Sequence, residues 1–434
     1  MARAGPEGPV HGYSLLKGEQ AGRLQSTRRR WRAGALLLLW AGALGSWQRD
    51  PRSLALEAFE KGDYAAARRH LERVLRQDPK EEVAHAMLGE IALAGQKPKV
   101  AVGHFRRAGK LLREDVRLQV LLGQALVGAG QPQEARRAVL AIRSEDPQAL
   151  FQSGLVLAQA GDCASALERL ERARGRHPEK AAVEFNLALC NHRTGRHREA
   201  VELLTGLARE NAADAGVQSL LGDSLAALGK LEEAQVALER ALALEQDDPR
   251  HHLALVALEI ERENTERGLE LVKRALERHP GEAELYGQRA ILRSLGNQTR
   301  LAEADYRRAL ALEPEKEWLY TSLATLLAFE QDRLEEARKL LEGHRSGFRG
   351  YYVVYLYSEL LRRLGEGTAA QRTMLEKSVQ LNPKFAPARL NLARVYAAQG
   401  ELARAREHLE ATAALDPGDR RPFYELQQIY ARLG

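Results

Sequence analysis

Apolar residues along this chain recur at three- and four-residue steps, stop at a turn residue, and resume. Leu220, Leu221, Leu225 and Leu228 keep helical spacing; Gly229 breaks the run; Ala234, Leu238, Ala241 and Leu242 take it up again. Such a pattern predicts two amphipathic helices joined by a tight turn, each with one apolar face. The pattern repeats. Small residues fall at Ala67, Ala101, Ala135, Ala166, Ala200, Ala234, Gly268, Ala302, Ala337, Gln371 and Ala405, nine of the eleven being Ala. Every step is 34 residues except Ala135 to Ala166, which is 31, and Ala302 to Ala337, which is 35. A second series follows twelve residues on at Pro79, Pro147, Pro178, Pro280, Pro314, Pro383 and Pro417. Small residues at a fixed period mark close helix crossings, and Pro suits the connection before the next helix start. A period of this length predicts stacked supersecondary units, none of which buries its apolar face alone.

The segments "GKLEEAQVALERALALE" (229–245) and "GELARAREHLEATAALDP" (400–417) resemble the tetratricopeptide repeat family. In that family a Gly opens the second helix, two Ala follow, and a Pro ends the unit. The resemblance implies an all-α fold, a right-handed solenoid of about eleven helix-turn-helix units plus a C-terminal capping helix, over residues 48–434. Four positions depart from the pattern: Arg113, Ala212, Gln246 and Arg349 stand where the family prefers Pro. The seventh unit, with Glu263 in the turn and Gly268 in the Ala position, reads as degenerate, as does the tenth around Gln371.

Charge first suggests a nucleic-acid partner, with a formal net charge of +6. Position removes the suggestion. Residues 1–50 hold eight basic and three acidic side chains, and the remaining 384 hold 57 and 56. A near-neutral array with interspersed signs lacks the basic face that phosphate backbones require, so no nucleic-acid partner is expected. The basic excess precedes an uncharged run. Arg28, Arg29, Arg30 and Arg32 lead into "AGALLLLWAGALGSW", residues 33–47. Fifteen helical residues span about 22 Å against about 30 Å of bilayer core, which suits a signal peptide or a signal anchor. A short buried helix in a disordered tail is the competing expectation. Residues 1–32 read as a disordered basic tail. With the arginines held in the cytoplasm, the repeats are expected on the extracytoplasmic (periplasmic) side of a bacterial inner membrane, exported or anchored, with the cytoplasm as the alternative.

No catalytic, cofactor or metal signature accompanies the repeats, and a non-enzyme without cofactor is expected. "GDSLAALGKL" (222–231) lacks the Ser/Thr and the spacing of a phosphate loop, and its glycines are already explained by the repeat. Cys190, His192 and His197 have no metal-ligand spacing. Cys163 starts one expected helix and Cys190 ends the next, so an oxidising compartment would permit a disulfide; two small buried thiols are the alternative.

In the resembling family, the second, fifth, sixth, ninth and twelfth positions of each first helix line a groove. Carried over, the sixth position falls on Met87, Asn186, Tyr357 and Asn391, among others. The two Asn match residues with which that family bonds a peptide backbone. The Lys/Asn/Arg combination of its chaperone-binding members is absent. Phe151, Phe185 and Met87 make the groove apolar, which favours an amphipathic helix or an extended hydrophobic peptide. "YYVVYLYSELL" (351–361) concentrates four tyrosines. In this register Tyr355 is core, Val353 and Tyr357 face the groove, and Trp318 joins them; packing of all four between units is the alternative. The expected function is a scaffold or adaptor for a protein or peptide partner, in envelope or secretion assembly. A non-catalytic regulatory subunit of a separately encoded enzyme, such as a glycosyltransferase or protease, is the second expectation.

Overall fold

The computed structural model describes residues 50–344 and 349–433. Among them lie 24 α-helices, a five-residue π-helical turn and no strand. The helices form eleven antiparallel pairs, one short helix, Gly109–Glu114, between the second and third pairs, and a last helix, Arg421–Leu433. They fall into two bodies: one ends at Leu244 and holds six pairs, and the other begins at Glu245 and holds five pairs and the last helix.

Each pair forms for the reasons visible in its sequence. In the N-terminal body Asp63, Asp115, Asp146, Asp162 and Asp214 cap helix starts, each accepting from an amide two or three residues on. The nine alanines of the periodic series are all 0% exposed, so no side-chain atom beyond Cβ fits there. Each turn between paired helices contains one residue of left-handed backbone. Seven are glycine; Gln96, Glu263, Asn297 and Asp332 adopt the same φ of 53–58°. The seventh and tenth units, read as degenerate, therefore fold as complete pairs. In the seventh, Val256 is buried at the place in the first helix that is Gly89, Gly123, Gly154 and Gly222 elsewhere, and Gly268 replaces Ala in the second helix. The space that a Cβ at Gly268 would need is held by Leu292 of the next unit, whose Cδ2 would lie 2.7 Å from it.

The two irregular steps have separate mechanical answers. In the 31-residue step the second helix Pro132–Leu140 has only nine residues, against fourteen in His197–Glu210. Its curtailed end leaves carbonyls without helical partners. The buried Arg169 guanidinium reaches back to them, donating to Ile142 O at 3.0 Å and Leu140 O at 3.4 Å. In the 35-residue step the additional residue is absorbed by the π turn Leu326–Glu330 that follows Glu317–Thr325. Leu326 and Leu327 stay buried while Phe329 is turned outward, 49% exposed, beneath the Arg363 guanidinium at 4.9 Å. Two of the missing prolines also have a substitute. Glu82 accepts from Lys110 N and Leu111 N near Arg113, and Glu317 accepts from Arg349 N and Gly350 N. In both units a carboxylate at the start of the first helix ties down the connection leaving the second. These amide bonds, led by that from Lys110, hold the Glu82 carboxyl below its usual range.

Candidate partner-binding site

Residues 1–49 lie outside the described residues, so the run 33–47 and the basic tail have no structural description. Among the described residues no helix is long and apolar enough to cross a membrane.

In the N-terminal body the expected groove residues lie mostly within the packing. Met87 is 1% exposed in the core of the first two units. Phe151 is buried against the His177 ring, 4.5 Å between centroids. Phe185 is half-buried beside Leu189 and Leu204. Asn186 is buried; its Nδ2 donates to Ala182 O of its own helix at 2.8 Å, and its Oδ1 has no partner. Cys163 and Cys190 share one core cluster as free thiols in mutual hydrogen-bond contact. That bond, helped by the nearby Arg193, pulls the Cys163 thiol down, while the same bond and burial push Cys190 up. His192 and His197 do not join Cys190. His192 Nδ1 lies 3.0 Å from Ser224 Oγ, and burial, with lesser contributions from His197 and Arg193, lowers its pKa to about 4.

Among the described residues, the C-terminal body holds one cluster of metal-ligand type, Glu245, Asp248 and His251. His251 Nε2 lies 3.3 Å from Glu245 Oε2. Asp248, however, caps the helix Pro249–Glu261 and is clasped by the Arg250 guanidinium, so its charge is already matched. The buried Asp305 carboxylate is matched in the same way. Asp305 takes both prongs of Arg289, at 2.8 and 2.6 Å, and Arg293 at 2.6 Å.

The tyrosine segment forms the helix Tyr351–Arg363, and its register differs from the expected one. Tyr357 and Val353 are 9% and 1% exposed inside a core cluster, and Tyr357 OH donates to Glu342 Oε1 at 2.7 Å. Tyr355, expected in the core, is half-buried and takes part in the polar contacts between first helices. The reason is a one-residue offset. The left-handed turn residues run Asp332, Gly365, Gly400, steps of 33 and 35 rather than 34. Leu356, not Tyr357, stands nine residues before its turn glycine, as Asn186 and Asn391 do before theirs. One residue is about 100° of helix rotation, enough to exchange the two faces. Counting back from Gly365 would have found it; counting forward from the Ala series could not. Trp318 is half-buried over Gly287, where a Cβ would come within 2.3 Å of its ring.

With that register, the groove positions of the last three first helices converge. Tyr351, Tyr352 and Tyr355 surround Phe385, with centroids 4.9, 6.1 and 5.2 Å away. Burial, then the Glu359 charge, pushes the Tyr355 phenol up to about 12, so it stays a donor and acceptor at neutral pH. Beside the aromatic patch runs a polar ladder across three helices. Asn391 Nδ2 donates to Glu359 Oε1 at 2.7 Å and to Tyr355 OH at 3.3 Å. Arg394 donates to Asn391 Oδ1 at 3.3 Å and to Glu425 Oε1 at 2.6 and 2.8 Å. Of the groove residues expected from sequence, Asn391 alone belongs to this ladder. Tyr355, expected in the core, joins it through Asn391, and Tyr352, Glu359, Phe385, Arg394 and Glu425 carry no sequence signal that marks them as groove residues.

The chain is 28% identical over 300 residues to cellulose synthase operon protein C of Xanthomonas axonopodis pv. citri, covering 54% of this chain and 19% of that protein. It is 25% identical over 224 residues to cellulose synthase 1 operon protein C of Komagataeibacter xylinus, covering 48% and 17%. The matches thus take in about a fifth of the length of these curated relatives. Among solved structures, a tetratricopeptide repeat protein from Parabacteroides merdae superimposes with TM-score 0.47 at 17% identity, over 58% of this chain and 99% of that one. A tetratricopeptide repeat model matches residues 52–115, 120–162, 151–215 and 219–283, and a second such model matches 363–429. With its eleven helix pairs, its small-residue crossings and these matches over more than half its length, the chain belongs to the tetratricopeptide repeat family.

Proposed function

We propose that this protein is an interaction scaffold that captures a peptide or partner helix on the groove face of its last repeats. The observation that carries the reading is the half-buried Tyr351/Tyr352/Tyr355/Phe385 patch next to the Glu359–Asn391–Arg394–Glu425 ladder. Aromatic rings supply contact area at low entropic cost, and a pre-bonded ladder presents fixed donors and acceptors. The test is capture of partner by the full chain from a native envelope fraction, comparing wild type with Tyr352→Ala/Tyr355→Ala. Loss of capture at an unchanged melting temperature supports the reading; undiminished capture overturns it.

The basic cluster and uncharged run before Trp47 support an exported or inner-membrane-anchored protein with its repeats outside the cytoplasm. A reporter fused after Asp50 is then active only outside the cytoplasm, and cytoplasmic activity refutes the topology. The names of the two matched relatives refer to a cellulose synthase operon, which favours as a second reading a non-catalytic partner of a separately encoded glycosyltransferase. Copurification with such an enzyme, lost in the same tyrosine variant, distinguishes it from a general adaptor.

A further inference from the structure

The ladder ends in a cleft whose chemistry differs from the rest of the groove face. Between the helices Ala386–Ala398, Leu402–Leu415 and Arg421–Leu433 lies an open space of roughly 630 Å³. Its floor is apolar: Leu409 and Ile429 are 1% and 3% exposed. Its rim is cationic, carrying Arg394, Arg420, Arg421 and Arg432. Two of these are matched, Arg394 by Glu425 and Arg421 by Asp419, at 2.6 and 2.8 Å. Arg420 and Arg432 are exposed and make no ion pair among the described residues, which leaves two positive charges over an apolar floor. The surplus is local, since the array as a whole is balanced within one charge.

Resting on the scaffold reading above, we infer that this cleft takes an acidic peptide segment of the partner: two carboxylates flanking apolar residues, bound by Arg420 and Arg432. Guanidinium groups pair bidentately with carboxylates, and their planar fork gives direction as well as charge. Arg420, immediately before the helix Arg421–Leu433, and Arg432 are twelve residues apart, about 18 Å at 1.5 Å per residue. An extended peptide covers that distance in about five residues at 3.3 Å each. The acidic residues therefore stand about five positions apart, and the side chains between them meet Leu409 and Ile429. Tyr424, 65% exposed on the same helix, offers a ring beside the apolar stretch.

The test is fluorescence anisotropy with the full chain and a labelled peptide holding two glutamates separated by about four leucines and alanines. The controls are the same peptide with both glutamates replaced by glutamine and a single-stranded oligonucleotide of matched charge. The expected result is binding of the acidic peptide that weakens at least about tenfold with the glutamine peptide and in Arg420→Ala/Arg432→Ala, with the melting temperature unchanged, because both bidentate guanidinium–carboxylate pairs are lost together. Equal binding of the glutamine peptide, no loss in the double variant, or tighter binding of the oligonucleotide each overturns the inference. Partner capture that depends on Tyr352 and Tyr355 but not on Arg420 and Arg432 removes the acidic segment and leaves the scaffold reading standing.

Discussion

Replacing Gly222 by Ala tests the close helix crossing on which every repeat depends. In an exposed helix interior this change stabilises by about 1 kcal/mol, because Gly carries the larger conformational entropy. At Gly222 the added Cβ meets Leu238 Cγ at 2.5 Å, Leu238 Cδ2 at 2.6 Å and the Ala234 carbonyl oxygen at 3.1 Å. Carbon atoms pack at about 3.5–4.0 Å, so the overlap with Leu238 is about an ångström. Cγ is the branch point of that side chain, Leu238 is 1% exposed, and the third contact is backbone. Relief thus requires the two helices to separate. Overpacking of this kind costs about 1–3 kcal/mol, and a clash at a branch point belongs in the upper half of that range. Less the helix-propensity gain, Gly222→Ala destabilises by about 1–2 kcal/mol. Gly206, in the helix His197–Glu210, is the internal control: its Cβ would meet nothing within 4 Å, so Gly206→Ala stabilises by about 0.5–1 kcal/mol. One chemical change thus gives opposite signs sixteen residues apart. Urea unfolding followed by circular dichroism reads both, fitted with a nearest-neighbour model because repeat arrays depart from two-state behaviour. Equal or greater stability of Gly222→Ala, or a shift in the same direction as Gly206→Ala, refutes the argument.

Three further outcomes follow from the same structure. Ala200→Arg places a charge at a 0% exposed crossing and costs on the order of 3 kcal/mol or more, whereas Arg→Ala at an exposed position costs under about 0.5; equal melting curves refute the register. Stability falls as pH drops from about 6.5 towards 4. Burial lowers the pKa of His192 to about 4 and also lowers those of His104, His177 and His252, so the unfolded chain binds more protons in that window; His192→Gln flattens the decline, and a melting temperature constant from pH 7 to 5 refutes it. Treatment of the folded protein with a thiol oxidant joins Cys163 to Cys190, which already touch, with loss of two protons and two electrons to the oxidant; mass spectrometry still finding two free thiols speaks against that geometry.

Much of this molecule is local, and the sequence alone determined that part. Small residues at a fixed period, helix-capping Asp and turn glycines each act within a few residues of themselves, so the eleven pairs and their crossings were legible without coordinates. The departures were legible as departures but not as outcomes. A step of 35 residues states that one residue is added; only packing decides that it goes into a π turn keeping Leu326 and Leu327 buried, and that the next connection is one residue shorter. That choice set the face of Tyr355 and Tyr357, and with it the aromatic patch. Glu263 looked like a defect because left-handed backbone favours glycine, yet its turn closes with Asn264 N donating to Glu259 O, as the turns at Gln96 and Asn297 close with Lys97 N to Ala92 O and Gln298 N to Arg293 O. The Glu359–Asn391–Arg394–Glu425 ladder joins residues more than thirty positions apart in two of its three steps, and no local pattern encodes such pairs. The period is a property of each unit, but the groove exists only between units, and there the tertiary structure decides.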